Sequence, residues 1–158
     1  MRKVVVNTTP IIALSDIGYL HLLKKLYGEI IIPQAVYDEI LSEPALSDVK
    51  MNRDWIRVEK IQDTSQKKMY KARLHAGEVE VMILAQEKNA DLVIIDDNTA
   101  KKTAKYLGLT VTGTLGVLLK CKSSGYIEEV KPVLEKLEDN GLYISSSVKE
   151  YVLELAAE

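Results

Sequence analysis

The chain has 158 residues, 47% of them hydrophobic, with 21 Lys and Arg against 23 Asp and Glu for a formal net charge of −2. That is enough for one full core and calls for a single domain, residues 1–158. The near balance of charge excludes a surface coated wholesale for nucleic acid but leaves room for local basic patches, and the lone Cys121 excludes an internal disulfide.

No apolar run reaches the ~18 residues of a membrane span, and Met1-Arg2-Lys3 leads straight into a short strand rather than a cleavable leader. The expectation is a cytoplasmic protein without membrane attachment. His21 and His75 lie far apart and show no zinc spacing, so no His/Cys metal site is expected. Cys121 has no histidine nearby in the sequence and is expected to pack rather than react.

In chain order, short apolar strands alternate with amphipathic helices. Residues 3–6 form the first strand, and 11–27 read as helical, with a break near Asp16 and Gly18. In the intervening "NTTP", Thr8 or Thr9 is expected to cap the helix, with Pro10 at its first position. Residues 29–32 are a second strand closed by Pro33, and 34–41 a helix with Val36 and Ile40 on one face. The turn-rich residues 42–54 read as a surface connection, and 55–61 alternate like a strand. Residues 77–89 form a helix whose inward stripe is Val79, Met82, Ile83 and Gln86. "LVII" at 92–95 lacks polar alternation, as suits a strand covered on both faces. A helix over 99–107 stopped by Gly108, a strand at 109–111 and a helix over 115–122 follow. Residues 127–140 are helical with an interruption near Pro132, and the chain closes as a short strand, a serine cap and a helix from about 146 that reads as an appendage. This alternation predicts a three-layer α/β/α domain with a mainly parallel central sheet.

Parallel sheets place ligands at the carboxyl ends of their strands. The first strand delivers Asn7, Thr8 and Thr9 there, and "LVII" delivers Asp96 and Asp97, one of which, or Asn98, can also cap the following helix. Two helices add carboxylates near their starts or on their core borders, Glu39 three residues after Val36 and Glu78 directly after Gly77, in a first turn that the helix dipole also favours. Carboxylates converging on one edge repel one another unless a cation joins them, and an oxygen-only ligand set suits Mg²⁺ or Mn²⁺. Such an ion can activate water and steady the leaving oxygen in phosphodiester hydrolysis. No histidine, cysteine or lysine is expected to serve as acid or nucleophile. The "TGTLG" turn lacks the lysine of a P-loop and reads as a tight strand-to-helix connection.

Four ordered motifs, "VVNTTPIIAL", "IIIPQAVYDEI", "AGEVEVMILAQEKNADLVIIDD" and "TVTGTLGVLLKCKSSGYI", resemble those of PIN-domain proteins over roughly residues 3–127. The resemblance implies a Mg²⁺- or Mn²⁺-dependent endoribonuclease, in many prokaryotic cases the toxin held by a small antitoxin protein. It implies Asn7, Glu39, Glu78 and Asp96 as the four site positions, with Asp97 the neighbour that a one-residue slip would select. Glu39, Glu78 and Asp96 would be the catalytic acids, and all five residues metal ligands. Thr8 or Thr9 matches the hydroxyl following the first position, and Thr114 is positioned to approach from the next strand. Asn7 departs from the pattern, because most such nucleases carry aspartate there and an amide brings no charge.

Lys101, Lys102 and Lys105 follow directly after the aspartates, on the helix that begins there, and are candidates to hold flanking phosphates of single-stranded or structured RNA. A second basic cluster comprises Lys67, Lys68, Lys71 and Arg73. The expected assembly includes a homo-oligomer. The alternative is a catalytically weakened PIN-like domain that binds RNA or protein. A phosphoacceptor receiver domain fits poorly, because its acidic pair would follow the first strand.

Overall fold

Val4–Val6 form β1, and all three side chains are fully buried. This computed structural model describes residues 2–43, 54–65, 67 and 74–158. β1 pairs on one side with β2 (Ile30–Pro33) and on the other with β4 (Leu92–Ile94); β3 (Ile56–Glu59) extends the sheet beyond β2, and β5 (Val111–Thr112) beyond β4. The order is therefore β3-β2-β1-β4-β5, with every pairing parallel. Eight described helices cover the sheet: α1 (Thr8–Asp16), α2 (His21–Tyr27), α3 (Gln34–Leu41), α4 (Ala76–Lys88), α5 (Asn98–Tyr106), α6 (Thr114–Ser123), α7 (Lys131–Asp139) and α8 (Ser146–Leu155). The result is the three-layer α/β/α domain with a parallel sheet that the alternation predicts.

The central strands carry the core. Val4, Val5, Val6, Val93 and Ile94 are fully buried and Leu92 nearly so, each contributing roughly 1.5–3 kcal/mol of apolar burial. The predicted break after Asp16 falls between α1 and α2, where Gly18 takes φ +77°. α4 ends at Asn89, held left-handed at φ 51°, a conformation asparagine tolerates better than most residues. The strand expected at 55–61 is β3, an edge strand, and the connection expected at 42–54 lies mostly outside the described residues.

Four expectations are corrected. Gln86 is exposed: α4 packs against β1, β2 and α3, and its buried surface runs unbroken from Gly77 to Ala85 before Gln86 turns outward. α1 begins at Thr8, so the cap position is Asn7 and Pro10 sits third in the helix, where its missing N–H would have lacked an intrahelical partner in any case. Pro132 does not interrupt a helix but lies in the first turn of α7, so residues 127–130 precede that helix. No strand forms over residues 141–145, because the sheet ends at β5; instead Ser145 accepts the Val148 N–H at 3.3 Å and caps α8.

α8 rests on α6 through buried Val152 and Ala156. Just beyond it, the Glu158 carboxylate accepts the Val130 and Lys131 N–H groups at 2.7 and 2.9 Å, closing the start of α7, and pairs with Lys122 at 3.0 Å. Burial pushes this carboxyl upward, but those donors outweigh it and hold it below its ordinary value. Lys149 joins α8 to α7 through Glu138 at 2.8 Å. Among the described residues, no helix is long and apolar enough to cross a membrane.

Cys121 is fully buried on α6, and burial pushes its thiol up to about 11. The thiol stays neutral and shielded at neutral pH. A disulfide reagent should therefore label native protein negligibly and unfolded protein in urea to completion; fast native labelling would mean that α6 detaches from the core.

Candidate metal centre

The strand order reverses between β1 and β4, and in open parallel sheets this is where ligands settle. The register Val6↔Ile94 brings the two strand ends side by side, and the Asn7 N–H bonds the Ile94 carbonyl at 2.9 Å. Asn7 and Asp96 therefore leave neighbouring strands at one edge.

A hollow of about 290 Å³ at this edge is lined by Asn7, Thr8, Thr9, Glu39, His75 and Glu78. Asn7 is 5% exposed and occupies the cap position of α1, yet its side chain makes no capping bond, so the amide is left for the hollow. Glu39 is held from both sides: Thr8 Oγ1 donates to its Oε2 at 2.5 Å and the Gly77 N–H to its Oε1 at 2.9 Å. Residue 77 has to be glycine for this approach, since a Cβ there would lie 2.6 Å from Glu39 Oε1 and 2.9 Å from Oε2. Glu78, 7% exposed, accepts the His75 N–H through Oε1 at 2.9 Å, which orients it in the first turn of α4.

Asp96 stands one strand along. Thr114 binds both of its oxygens, the N–H to Oδ1 and the hydroxyl to Oδ2, each at 2.7 Å. This is the approach from the following strand that the sequence suggested for Thr114. Asp96 lines a second hollow of about 390 Å³ together with Lys101 and Thr114. Asp97 instead accepts the Ala100 N–H at 3.1 Å and caps α5. Lys101 is half-buried in the second hollow, while Lys102 and Lys105 are exposed on α5. Of the other basic cluster, Lys67 pairs with Glu80 at 3.1 Å, and Lys68, Lys71 and Arg73 lie outside the described residues.

Asn7, Glu39 and Glu78 thus share one hollow, and Asp96 faces its neighbour. Among the described residues, no three His, Cys, Asp or Glu side chains stand close enough together to hold a metal ion. The donors nevertheless suit a hard divalent ion, since Mg²⁺ takes one or two carboxylates and keeps several waters, and the hollow offers two carboxylates and an amide oxygen.

Two residues at this edge are not anticipated from the sequence. His75 shows no zinc spacing, yet it lines the first hollow because it caps α4 three residues before Glu78. Glu80, 9% exposed, accepts the Ala35 N–H at 3.0 Å and so ties α4 to the start of the helix that carries Glu39. A second glutamate two residues after Glu78, on an otherwise apolar stretch, was the available signal.

No curated protein matches the chain. A family model described as a PIN domain matches residues 3–158. PIN domains are generally nucleases, often toxins of toxin–antitoxin pairs, and usually bind divalent metals such as Mg²⁺. By this match over almost its whole length, and by the parallel sheet with its polar carboxyl edge, the chain belongs to the PIN-domain family.

Proposed function

We propose that the protein is a Mg²⁺- or Mn²⁺-dependent endoribonuclease, the toxin of a toxin–antitoxin pair, acting in the cytoplasm as a homo-oligomer restrained by a small antitoxin. The observation that carries the reading is the meeting of Asn7, Glu39 and Glu78, from β1, α3 and α4, in one hollow at the switch point of a PIN-domain sheet. A divalent ion bound there supplies charge neutralisation for the phosphoryl oxygens and acidifies water.

In this reading Glu78 and the Asn7 amide oxygen hold the ion. Glu39, steadied by Thr8 and Gly77, would share in holding the ion and would accept a proton from water beside it. Asp96, fixed by Thr114 in the second hollow, would supply a further carboxylate beside the scissile phosphate. Asp97 is occupied as a helix cap, which favours Asp96 as the acid of that pair. Lys101, Lys102 and Lys105 hold flanking phosphates without reading bases. The neutral Asn7 supports a second reading, a weakened PIN domain that binds RNA or protein without cutting, and the metal titration separates the two.

Glu78→Gln keeps the carbonyl that accepts from His75 and removes the charge. It should abolish Mn²⁺ uptake in calorimetry, lower RNA cleavage by at least about 100-fold, and relieve growth arrest on induced expression, with the melting temperature unchanged or raised. Asn7→Asp should tighten Mn²⁺ about tenfold, since ligand charge sets affinity, and speed cleavage. No Mn²⁺ uptake by the unaltered protein at millimolar metal, with RNA still bound, would establish the non-cutting reading.

Gly77→Ala drives a methyl into the Glu39 carboxylate and should cost activity at little change in fold, because the rest of α4 keeps its packing. Wild-type cleavage by this variant would remove Glu39 from the site. Changing Lys101, Lys102 and Lys105 together to Gln should weaken single-stranded RNA binding and flatten its salt dependence, by roughly 0.7 in the log–log slope for each phosphate no longer neutralised, while Mn²⁺ affinity holds. An unchanged slope would mean that RNA runs elsewhere.

A further inference from the structure

The second hollow holds more than Asp96 needs. Its volume, about 390 Å³, falls within the ~300–1,000 Å³ of small-molecule sites. Its wall is assembled from three separated stretches: the start of α5, the β5–α6 turn, and the strand-less residues 142–145 that lead into α8. Two side chains of that wall make no hydrogen bond or ion pair among the described residues.

The first is Tyr143. Its residue is 87% exposed, it lines the hollow, and it follows partly buried Leu142 and precedes buried Ile144, which anchor the backbone on either side. What distinguishes this ring is its place: its anchored neighbours hold it beside the hollow, where a flat partner could cover its face. Other tyrosines differ. Lys136 lies over the Tyr19 ring at 5.0 Å and Lys25 over Tyr126 at 5.7 Å, while Tyr106 and Tyr151, also exposed, line neither of the hollows at the acidic edge.

The second is Lys101. A Cβ added to Gly113 would lie 2.7 Å from Asp96 Oδ1 and 2.8 Å from Lys101 Nζ, so the carboxylate and the ammonium crowd the same side-chain-free spot at the floor of the hollow. Thr114 already satisfies both Asp96 oxygens with one donor each, and no ion pair joins Lys101 to Asp96 among the described residues. The lysine is half-buried and lines the same hollow as Asp96 and Tyr143.

A cation at the base, an apolar wall of Leu115, Leu142 and Val148, and a free aromatic ring at the rim form a combination that fits a nucleotide. The phosphate takes the ammonium, and the unstacked base lies on the ring, since every base offers a π-face and such stacking tolerates any sequence. We infer that this hollow is the nucleobase subsite beside the scissile phosphate, with Tyr143 as the stacking platform for one unpaired base of the RNA and Lys101 as its phosphate anchor. The subsite rests on the nuclease reading for its substrate class. Its place also follows from the sheet: Asn7 follows β1, Asp96 follows β4 and Gly113 follows β5, so the wall of the second hollow begins one to two strand spacings, about 5 to 10 Å, along the edge from the end of β1, a span that one nucleotide can bridge. The consequence is a preference for single-stranded over duplex RNA, because a paired base cannot turn onto the ring.

The test is fluorescence anisotropy of a short fluorescein-labelled single-stranded RNA of mixed sequence, with EDTA or Ca²⁺ in place of Mg²⁺ to prevent cleavage. Tyr143→Ala should weaken binding about 5- to 100-fold, Tyr143→Phe should keep it within about twofold, and neither should change the affinity for a duplex of the same length. The salt slope should survive Tyr143→Ala and flatten in Lys101→Gln. At 87% exposure Tyr143 can be removed without unfolding the chain, which circular dichroism checks. Unchanged single-strand affinity in Tyr143→Ala overturns the subsite, as does an equal loss in Tyr143→Phe, which would assign the effect to the hydroxyl. A Tyr143→Ala variant that binds RNA normally but shifts from dimer to monomer in sedimentation assigns the ring to a protein interface and likewise overturns it. Binding that follows the expected pattern in a protein that never cleaves RNA leaves the subsite standing and removes the nuclease reading alone.

Discussion

The parallel pairing of β1 with β4 is the constraint on which the rest depends. Both strands are buried on both faces, so neither can carry a polar side chain until it leaves the sheet. Their register brings Val6 beside Ile94, and both chains become polar at the same edge, with Asn7 on one and Asp96 on the other. Helices run away from that edge on both sides because the strand order reverses there. The crevice is thus a product of topology, and the residues beside it acquire chemistry from their position at the end of a strand or the start of a helix.

Holding acidic groups near such an edge without a cation is costly, and the protein offsets this with donors. Glu39 receives a hydroxyl and an N–H, Glu78 an N–H, and Asp96 a hydroxyl and an N–H. Each bond to a charged acceptor is worth roughly 1.5–3 kcal/mol, and each also fixes a rotamer. The backbone donors come from helix starts, which explains the glycines: residues 77 and 113 lie where a Cβ would collide with Glu39 or with Asp96 and Lys101. Pre-formed bonds of this kind let the acids keep their orientation whether or not an ion is present.

Asn7 changes the balance at the centre of this arrangement. With aspartate there, the first hollow would hold three carboxylates; with asparagine it holds two and an amide whose oxygen is still free to ligate. Apo stability gains from the smaller repulsion and metal affinity loses by it. His75 lines the same hollow and gives its backbone N–H to Glu78.

Local sequence determined the elements and the identity of the acids. Unbroken valine and isoleucine runs mark strands covered on both faces, i, i+4 apolar spacing marks helices, and Asn7, Glu78, Asp96 and Asp97 stand out because charge or amide follows an apolar run or opens a helix, while Glu39 stands out three residues after Val36, on the border of its helix's apolar face. What failed were features decided by partners distant in the chain. Residues 141–145 have strand-like content but no neighbour at the sheet edge, and Gln86 sits on a helix whose buried surface is set by the sheet and α3 together. Asp97 and Asp96 are adjacent and alike in sequence. Only the fold separates them, because Asp97 meets the N–H of Ala100 three residues on, whereas Asp96 meets Thr114 across a neighbouring strand. The grouping of Asn7 with His75, and of Lys101 with Tyr143, was likewise invisible in one dimension: hydrogen bonding and burial at a site act over a few ångströms in space, and the chain brings together there residues separated by 68 and 42 positions.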